Sequence, residues 1–590
     1  MKPTALLLVC ATAAFAQDWA SIPAGGESML PADSAAAMRL TGGQLARMEM
    51  VAVEGMPFSR AVRVEVRGPL TQAWDVQLMA NTTGDVKVGD IVLLSGFIRG
   101  SSSANETGEA TATAYLQRSS GDFAKVASLT MTGGPEWKQF LAPGRIETTL
   151  GPGQHGFTIF LGMFPQTVEI GGISLINYRN LKTLAELPRT KITWPGSEPD
   201  APWRAEAAAA IDVLRKADVE VRVRDRDGRP VSGAEIRVRQ KKHEFGFGSA
   251  VAADGLNAQN ADGDKYRETI RTWFNKAVLE NDLKWPGWEQ NRNRAIGALS
   301  WLRQNGIGMV RGHNLVWPSW RYMPSDVERL AGNPDALRDR INRHIDDEAA
   351  SVRGWLTEWD VINEAFTNTD VQKVLGNAEM VEWFRRARNH DPDAVLYIND
   401  YSILSGGGLN RPHQDGYFNI IRSLIEAGAP VGGIGMQGHF GAQLTAPVKV
   451  WQILDRFAVF GKDIQITEFD IDTDDEEAQA GYTRDFMTAL FSHPNVSGFM
   501  MWGFWEGRHW RPRAAMFRRD WSIKPNGKAF YDLVYGEWWT NAAGTTGDAG
   551  TWKVRAFKGE HEVEVRVAGQ SVIRPITVNW AGAVAEITLP

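Results

Sequence analysis

Two glutamates set the problem. Glu364 sits in Trp359-Asp360-Val361-Ile362-Asn363-Glu364-Ala365, and Glu468 in Ile464-Gln465-Ile466-Thr467-Glu468-Phe469-Asp470. Each ends a short apolar run that reads as a buried strand. They stand 104 positions apart, so only a fold can bring them together. Two carboxylates flanking one bond suit hydrolysis of a glycosidic linkage: one protonates the departing oxygen, and the other attacks or stabilises an oxocarbenium-like carbon. A lone strand-end glutamate is most often a surface residue. Two in such contexts are harder to dismiss, and Glu280, His313, Asp400 and Gln437 also fall at or just after the ends of strand-like runs.

Those runs imply a scaffold. Between about residues 245 and 535, strand candidates at 245–251, 276–279, 308–313, 358–363, 395–399, 431–437, 463–468 and 496–502 alternate with amphipathic helical stretches such as 335–350, 448–460 and 527–533. Eight such units in this length predict a (β/α)8 TIM barrel over 244–538, with its site at the C-terminal ends of the strands. On either side the pattern turns to alternating strands. Residues 218–243 read as a hairpin turning at Asp227-Gly228, and 539–590 contain three further strands. An isolated hairpin is marginal, so the two flanks are expected to join as one small Ig-like β-sandwich with the barrel inserted between its halves.

The N-terminal third is different again. Short alternating runs with Gly- and Ser-rich turns over 17–190 predict a β jelly roll, followed by a linker and helix over 191–217. Lys2, the apolar run from Ala5 to Phe15 and Ala14-Phe15-Ala16 read as a signal peptide over residues 1–16, cleaved near Ala16. Secretion or a periplasmic location follows, and the single cysteine, Cys10, would leave with the signal, so no disulfide or thiol chemistry is expected.

Composition bounds the partners. The 590 residues carry 64 basic and 70 acidic side chains for a net charge of −6, no polyanion-binding signature, so nucleic acid is not an expected partner. No later apolar run approaches a membrane span. The acidic run Asp470, Asp472, Asp474, Asp475, Glu476, Glu477 lacks the turn glycine and closing glutamate of a calcium loop and reads better as a helix start. No zinc or phosphate-loop spacing is evident, so no metal and no cofactor are expected.

The segment 245–535 resembles glycoside hydrolase family 10, the endo-β-1,4-xylanases. Trp-Asp-Val-x-Asn-Glu resembles the family's acid/base motif, which implies Glu364, and Ile-Thr-Glu-x-Asp its nucleophile motif, which implies Glu468. The resemblance extends to Glu280-Asn281-Asp282-Leu283-Lys284-Trp285, Arg311-Gly312-His313-Asn314-Leu315-Val316-Trp317, Asn399-Asp400-Tyr401 and Gly435-Met436-Gln437-Gly438-His439. It implies that Glu280, Asn281, Lys284, His313, Trp317, Gln437, Trp502 and Trp510 contact sugar. It implies that Asn363, His439, Asp470 and Asp400 support the site, with His439 holding Glu468 and Asp470 orienting His439. Retaining hydrolysis of xylan or xylo-oligosaccharides by a monomer is the expectation. There are departures: Leu283 stands where the family has Met, and Pro318 follows Trp317. Arg508, Arg511 and Arg513 in the bulky last loop could contact acidic sugar side groups or pair with local acids. The N-terminal region resembles the carbohydrate-binding modules found beside xylanases, with Trp74, Trp137 and Phe140 as sugar contacts or core. A related barrel enzyme cutting β-1,4-glucan or mannan, and a wall-binding protein with an inactive barrel, are the alternative readings.

Overall fold

The computed structural model describes residues 19–105, 108–473 and 475–589. The expected signal peptide lies outside the described residues. The chain divides into two compact units, with the break near Thr190.

The first unit is an antiparallel β-sandwich. One sheet orders Ala46–Ala52, Arg60–Val66, Gln166–Asn177, Ile91–Ser103 and Lys138–Arg145; the other orders Arg39–Thr41, Gln77–Asn81, His155–Phe160, Ala110–Arg118 and Lys125–Gly133. Strand alternation explains the packing: Leu78, Ala80, Phe157, Ile159, Ala112 and Ala114 point one way and are buried. The sheets approach closely at Gly96, where a Cβ would come within 2.3 Å of Ile173 and 3.0 Å of Met131. Phe140 is buried in this core, Trp137 is half-buried under Arg99, and Trp74 is exposed.

In the second unit, residues 191–202 depart from the expected linker. Trp194 is buried, its ring meets Tyr482 edge-on, and its indole donates to Asp485 at 2.9 Å. The helix Trp203–Arg215 then runs straight into the strand Lys216–Arg224, so the small sandwich begins two residues before 218. Buried Arg215 fixes this junction by donating to the carbonyls of Phe491, His493 and Val496 at 2.7–2.8 Å.

Eight parallel strands close the barrel: β1 (Gly246–Val251), β2 (Lys276–Leu279), β3 (Met309–Val316), β4 (Glu358–Asn363), β5 (Val395–Asp400), β6 (Gly433–Met436), β7 (Asp463–Ile471) and β8 (Val496–Met501). Each pairs with the next, and β8 returns to β1. β3 and β7 run three residues further toward the mouth than the sequence pattern indicates, to Val316 and Ile471, and β6 is shorter at both ends. Buried Leu, Ile, Val and Phe side chains of the strands and surrounding helices form one continuous core. Two helices matter below: α1 (Trp285–Gln304), broken at Asn291, and α2 (Pro334–Ser351).

The barrel is inserted into a second, smaller sandwich. Lys216–Arg224 pairs antiparallel with Thr551–Phe557 and parallel with Ala583–Thr588. Glu235–His243 lies between Asn541–Thr545 and Gly559–Val567. Val219, Val221, Val223, Ile236, Val238, Val563, Val565 and Ile587 fill the space between the sheets. Each such aliphatic side chain contributes about 1.5–3 kcal/mol on burial.

Candidate active site

At the C-terminal ends of the strands lies a cavity of about 540 Å³. Glu364 and Glu468 both line it and are almost fully buried. Of the other residues expected at the site, Glu280, Asn281, Lys284, His313, Trp317, Asn363, Gln437, His439, Trp502 and Trp510 also line it, whereas Asp400 and Asp470 lie behind it.

Glu364 follows the last residue of β4 and takes a left-handed conformation, φ 57°, which costs a residue with a Cβ on the order of 1–3 kcal/mol. Its N–H donates to Asn399 O of β5 at 2.8 Å, and its carbonyl accepts from Asn368 N at 3.0 Å. These bonds turn the side chain into the mouth. There the carboxylate accepts from Gln437 Nε2 at 2.8 Å, Asn368 Nδ2 at 3.0 Å and Trp317 Nε1 at 3.1 Å.

Glu468 is set differently. Its N–H donates to Gln437 O, and its carboxylate accepts from Asn399 Nδ2 at 2.8 Å. On the other side His439 Nε2 lies 3.2 Å away. His439 Nδ1 in turn lies 3.0 Å from Asp470, and Asp470 accepts from Trp510 Nε1 at 2.7 Å. Burial opposes charge on His439, but the carboxylates of Asp470 and Glu468 outweigh it and raise the imidazole to about 9. Burial likewise opposes charge on Asp470, yet His439 holds its carboxyl below the usual range. An imidazolium therefore faces Glu468 through neutral pH.

The wall after β2 and β3 is also ordered. His313 contacts Asp360 at 2.8 Å through Nδ1 and Asn314 at 3.4 Å through Nε2, and its side chain lines the cavity. Lys284 donates to Asn281 and lies over the Trp317 ring. Burial pushes the Glu280 carboxyl up, with nearby Lys284 opposing the rise. Asn363 Nδ2 and Gln437 Oε1 are buried with no protein hydrogen-bond partner among the described residues.

Asp400, expected to support the site, lies behind the cavity. It accepts from the Phe366 N–H and contacts His413 at 2.9 Å, on the helix side of β5. The neighbouring Asn399 performs the bridging, donating to Asn363 and Glu468 and accepting from Thr467. Strand alternation was the available signal: Tyr397 and Asn399 share the inner face, and Asp400 the outer. Sequence reasoning also missed Gln290, Arg294, Arg321 and Tyr322, which line the cavity. Arg508 pairs with Asp254, Arg511 and Arg513 with Asp472, and none of the three lines the cavity. Asp475 caps the helix Glu476–Phe491 by accepting from Ala478 N.

Fold and site together define a (β/α)8 barrel protein with a paired-carboxylate cleft. The family model described as Glycosyl hydrolase family 10 matches residues 237–533. The chain belongs to that family. It is 31% identical over 409 residues to the anti-sigma-I factor RsgI6 of Acetivibrio thermocellus, covering 68% of this chain and 50% of the relative. It is 30% identical over 367 residues to endo-1,4-beta-xylanase 1 of Arabidopsis thaliana, covering 61% and 38%. The chain thus spans half or less of the length of these relatives. Among solved structures, native xylanase 10B of Thermotoga maritima matches with 26% identity and a TM-score of 0.46, covering 50% of this chain and 96% of that one.

Proposed function

We propose that the protein is a retaining endo-β-1,4-xylanase, exported by its N-terminal segment and acting as a monomer on xylan or xylo-oligosaccharides without a cofactor. The observation that carries this reading is the single cleft holding Glu364 and Glu468 with different partners. Glu468, opposite a charged imidazole, is the nucleophile and attacks the anomeric carbon. Glu364, held by the neutral donors Gln437, Asn368 and Trp317, gives a proton to the leaving oxygen. Water then enters, Glu364 takes its proton, and the glycosyl-enzyme ester to Glu468 breaks. Asn363 Nδ2 and Gln437 Oε1 meet sugar hydroxyls, which supply their missing partners. Trp502 and Trp510 present rings to the sugar faces. Similarity to endo-1,4-beta-xylanases 1 and 2 of Arabidopsis thaliana supports the substrate class.

The test incubates wild type, Glu364→Ala and Glu468→Ala with linear xylan, cellulose and mannan, following reducing ends and oligomers. Wild type is expected to release xylo-oligomers and Glu468→Ala to be silent. Glu364→Ala should retain activity on an aryl xyloside whose leaving group needs no acid. Cleavage of cellulose or mannan in place of xylan overturns the substrate; activity in Glu468→Ala overturns the roles.

A further inference from the structure

The cleft wall built by the segments after β2 and β3 carries a solvent-exposed cation with no carboxylate partner among the described residues. Two arginines line the cavity there. Arg294 is engaged, its Nε donating to Asp282 at 2.5 Å. Arg321 forms no ion pair with any carboxylate among the described residues. Its position is nonetheless built. Ser319 Oγ and Trp320 N both donate to Asp370, and Tyr322 N donates to Ser319 O, closing the short turn Trp320–Tyr322. The guanidinium lies over the Tyr322 ring at 5.4 Å. Tyr322 stacks on Trp317 with centroids 3.6 Å apart and planes 14° apart, and Trp317 donates to Glu364. The cation therefore caps a stack of two rings at the edge of the cleft.

The opposite side of this wall adds donors. The break in α1 at Asn291 lets Asn291 Oδ1 accept from Arg294 N, starting a second helical segment. Gln290 and Arg294, on either side of that break, both line the cavity. An exposed guanidinium lining the same cavity as an amide and a second arginine matches a planar carboxylate, which arginine binds through a two-pronged fork. A neutral pentose chain has no group that needs it.

Resting on the xylanase reading above, we infer that Arg321 is a specificity-determining residue that binds the carboxylate of a uronic acid branch on the xylan chain, with Gln290 and Arg294 as secondary donors. The arginine takes no part in bond cleavage. It adds binding at the branch and leaves the unbranched backbone untouched.

The experiment measures kcat/KM of wild type, Arg321→Ala and Arg321→Lys on three substrates with one backbone: unbranched, bearing a single glucuronic acid branch, and bearing that branch as its methyl ester. Arg321→Ala should lose about tenfold on the acidic substrate, as loss of a charge-assisted hydrogen bond implies, and keep its rate on the other two. Arg321→Lys should fall between, and the wild-type advantage on the acidic substrate should shrink as salt rises. Equal losses on all three substrates, or none on the acidic one, overturn the inference. Wild type failing on the unbranched substrate overturns the xylanase reading instead.

Discussion

At the floor of the barrel, Lys276, Glu358, Arg311 and Asp360 alternate in sign. Lys276 lies 2.6 Å from Glu358, Arg311 lies 2.7 Å from Glu358, and Arg311 clasps Asp360. At the mouth, Glu364 accepts from an indole and two amides, and Glu468 sits between an amide and one imidazolium. All the charged groups among these are buried, and the Trp317 indole and Asn368 amide are half-buried. The floor answers charge with charge, so its two carboxylates are held ionised. Burial opposes ionisation of Glu358 and Asp360, and the adjacent cations still hold both carboxyls below their ordinary range. At the mouth, Glu364 has weaker neutral donors, which position its carboxyl without neutralising it, and only Glu468 faces a cation. Through the Arg311–Asp360–His313 chain the rigid floor reaches up to the cleft wall. The same barrel thus places its stability at one end and its reactivity at the other.

That contrast can be broken in order of expected effect. Glu468→Ala should lower the rate on xylan by roughly 10⁴–10⁶-fold, with a melting temperature equal to or above wild type, since sites tuned for reaction are not tuned for stability. A melting temperature well below wild type would make Glu468 part of the scaffold. At the floor the outcome should invert. Arg311→Met strands Asp360 and should cost about 3–5 kcal/mol in denaturant unfolding; a wild-type unfolding curve would refute the charge-matching account.

His439 connects the two regimes. Its folded value of about 9 lies above the ordinary imidazole value of 6.5, so its charged form contributes stability fully below pH 6.5. That contribution is lost as pH rises through about 9. His439→Gln should remove that pH-dependent contribution, read as a flatter thermal stability between pH 6.5 and about 9. Trp317→Phe keeps the ring but removes its donor to Glu364, and about tenfold should be lost in kcat/KM. The smallest effect concerns Glu348 on α2. It is fully buried, 3.2 Å from His344, with no hydrogen bond to either carboxyl oxygen among the described residues, and burial pushes its carboxyl well up. A raised carboxyl favours folding below its ordinary range and disfavours it above. Glu348→Met should therefore gain about 1 kcal/mol at pH 7 and less at pH 4, read by thermal unfolding.

The barrel was legible because eight apolar runs recur with helical stretches between them, and because polar residues gather at one edge of those runs. The joined flanks were legible because a hairpin at 218–243 needs partners. Other features had no local signature. Asp400 stood out as the ionisable residue of its motif, yet the two-residue period of β5 directs it away from Glu468 and directs Asn399 inward. Residues 191–202 carry Pro and Gly and look like a linker; only the partner Asp485, far along the chain, makes Trp194 an anchor. Arg321 and Gln290 lie in segments whose course depends on the stacked Tyr322 ring and the break at Asn291, neither of which a motif encodes.

The strand Lys216–Arg224 pairs on both sides with strands from beyond the barrel, and one of those partners, Ala583–Thr588, runs parallel to it. A pull on the start of the first strand and the end of the second loads their ladder of hydrogen bonds in shear. The eight barrel strands lie in the loop between the sandwich halves, off the line of force. Tension along an anchored chain would be borne by the sandwich, leaving the distances around Glu364 and Glu468 unchanged until that ladder gave way.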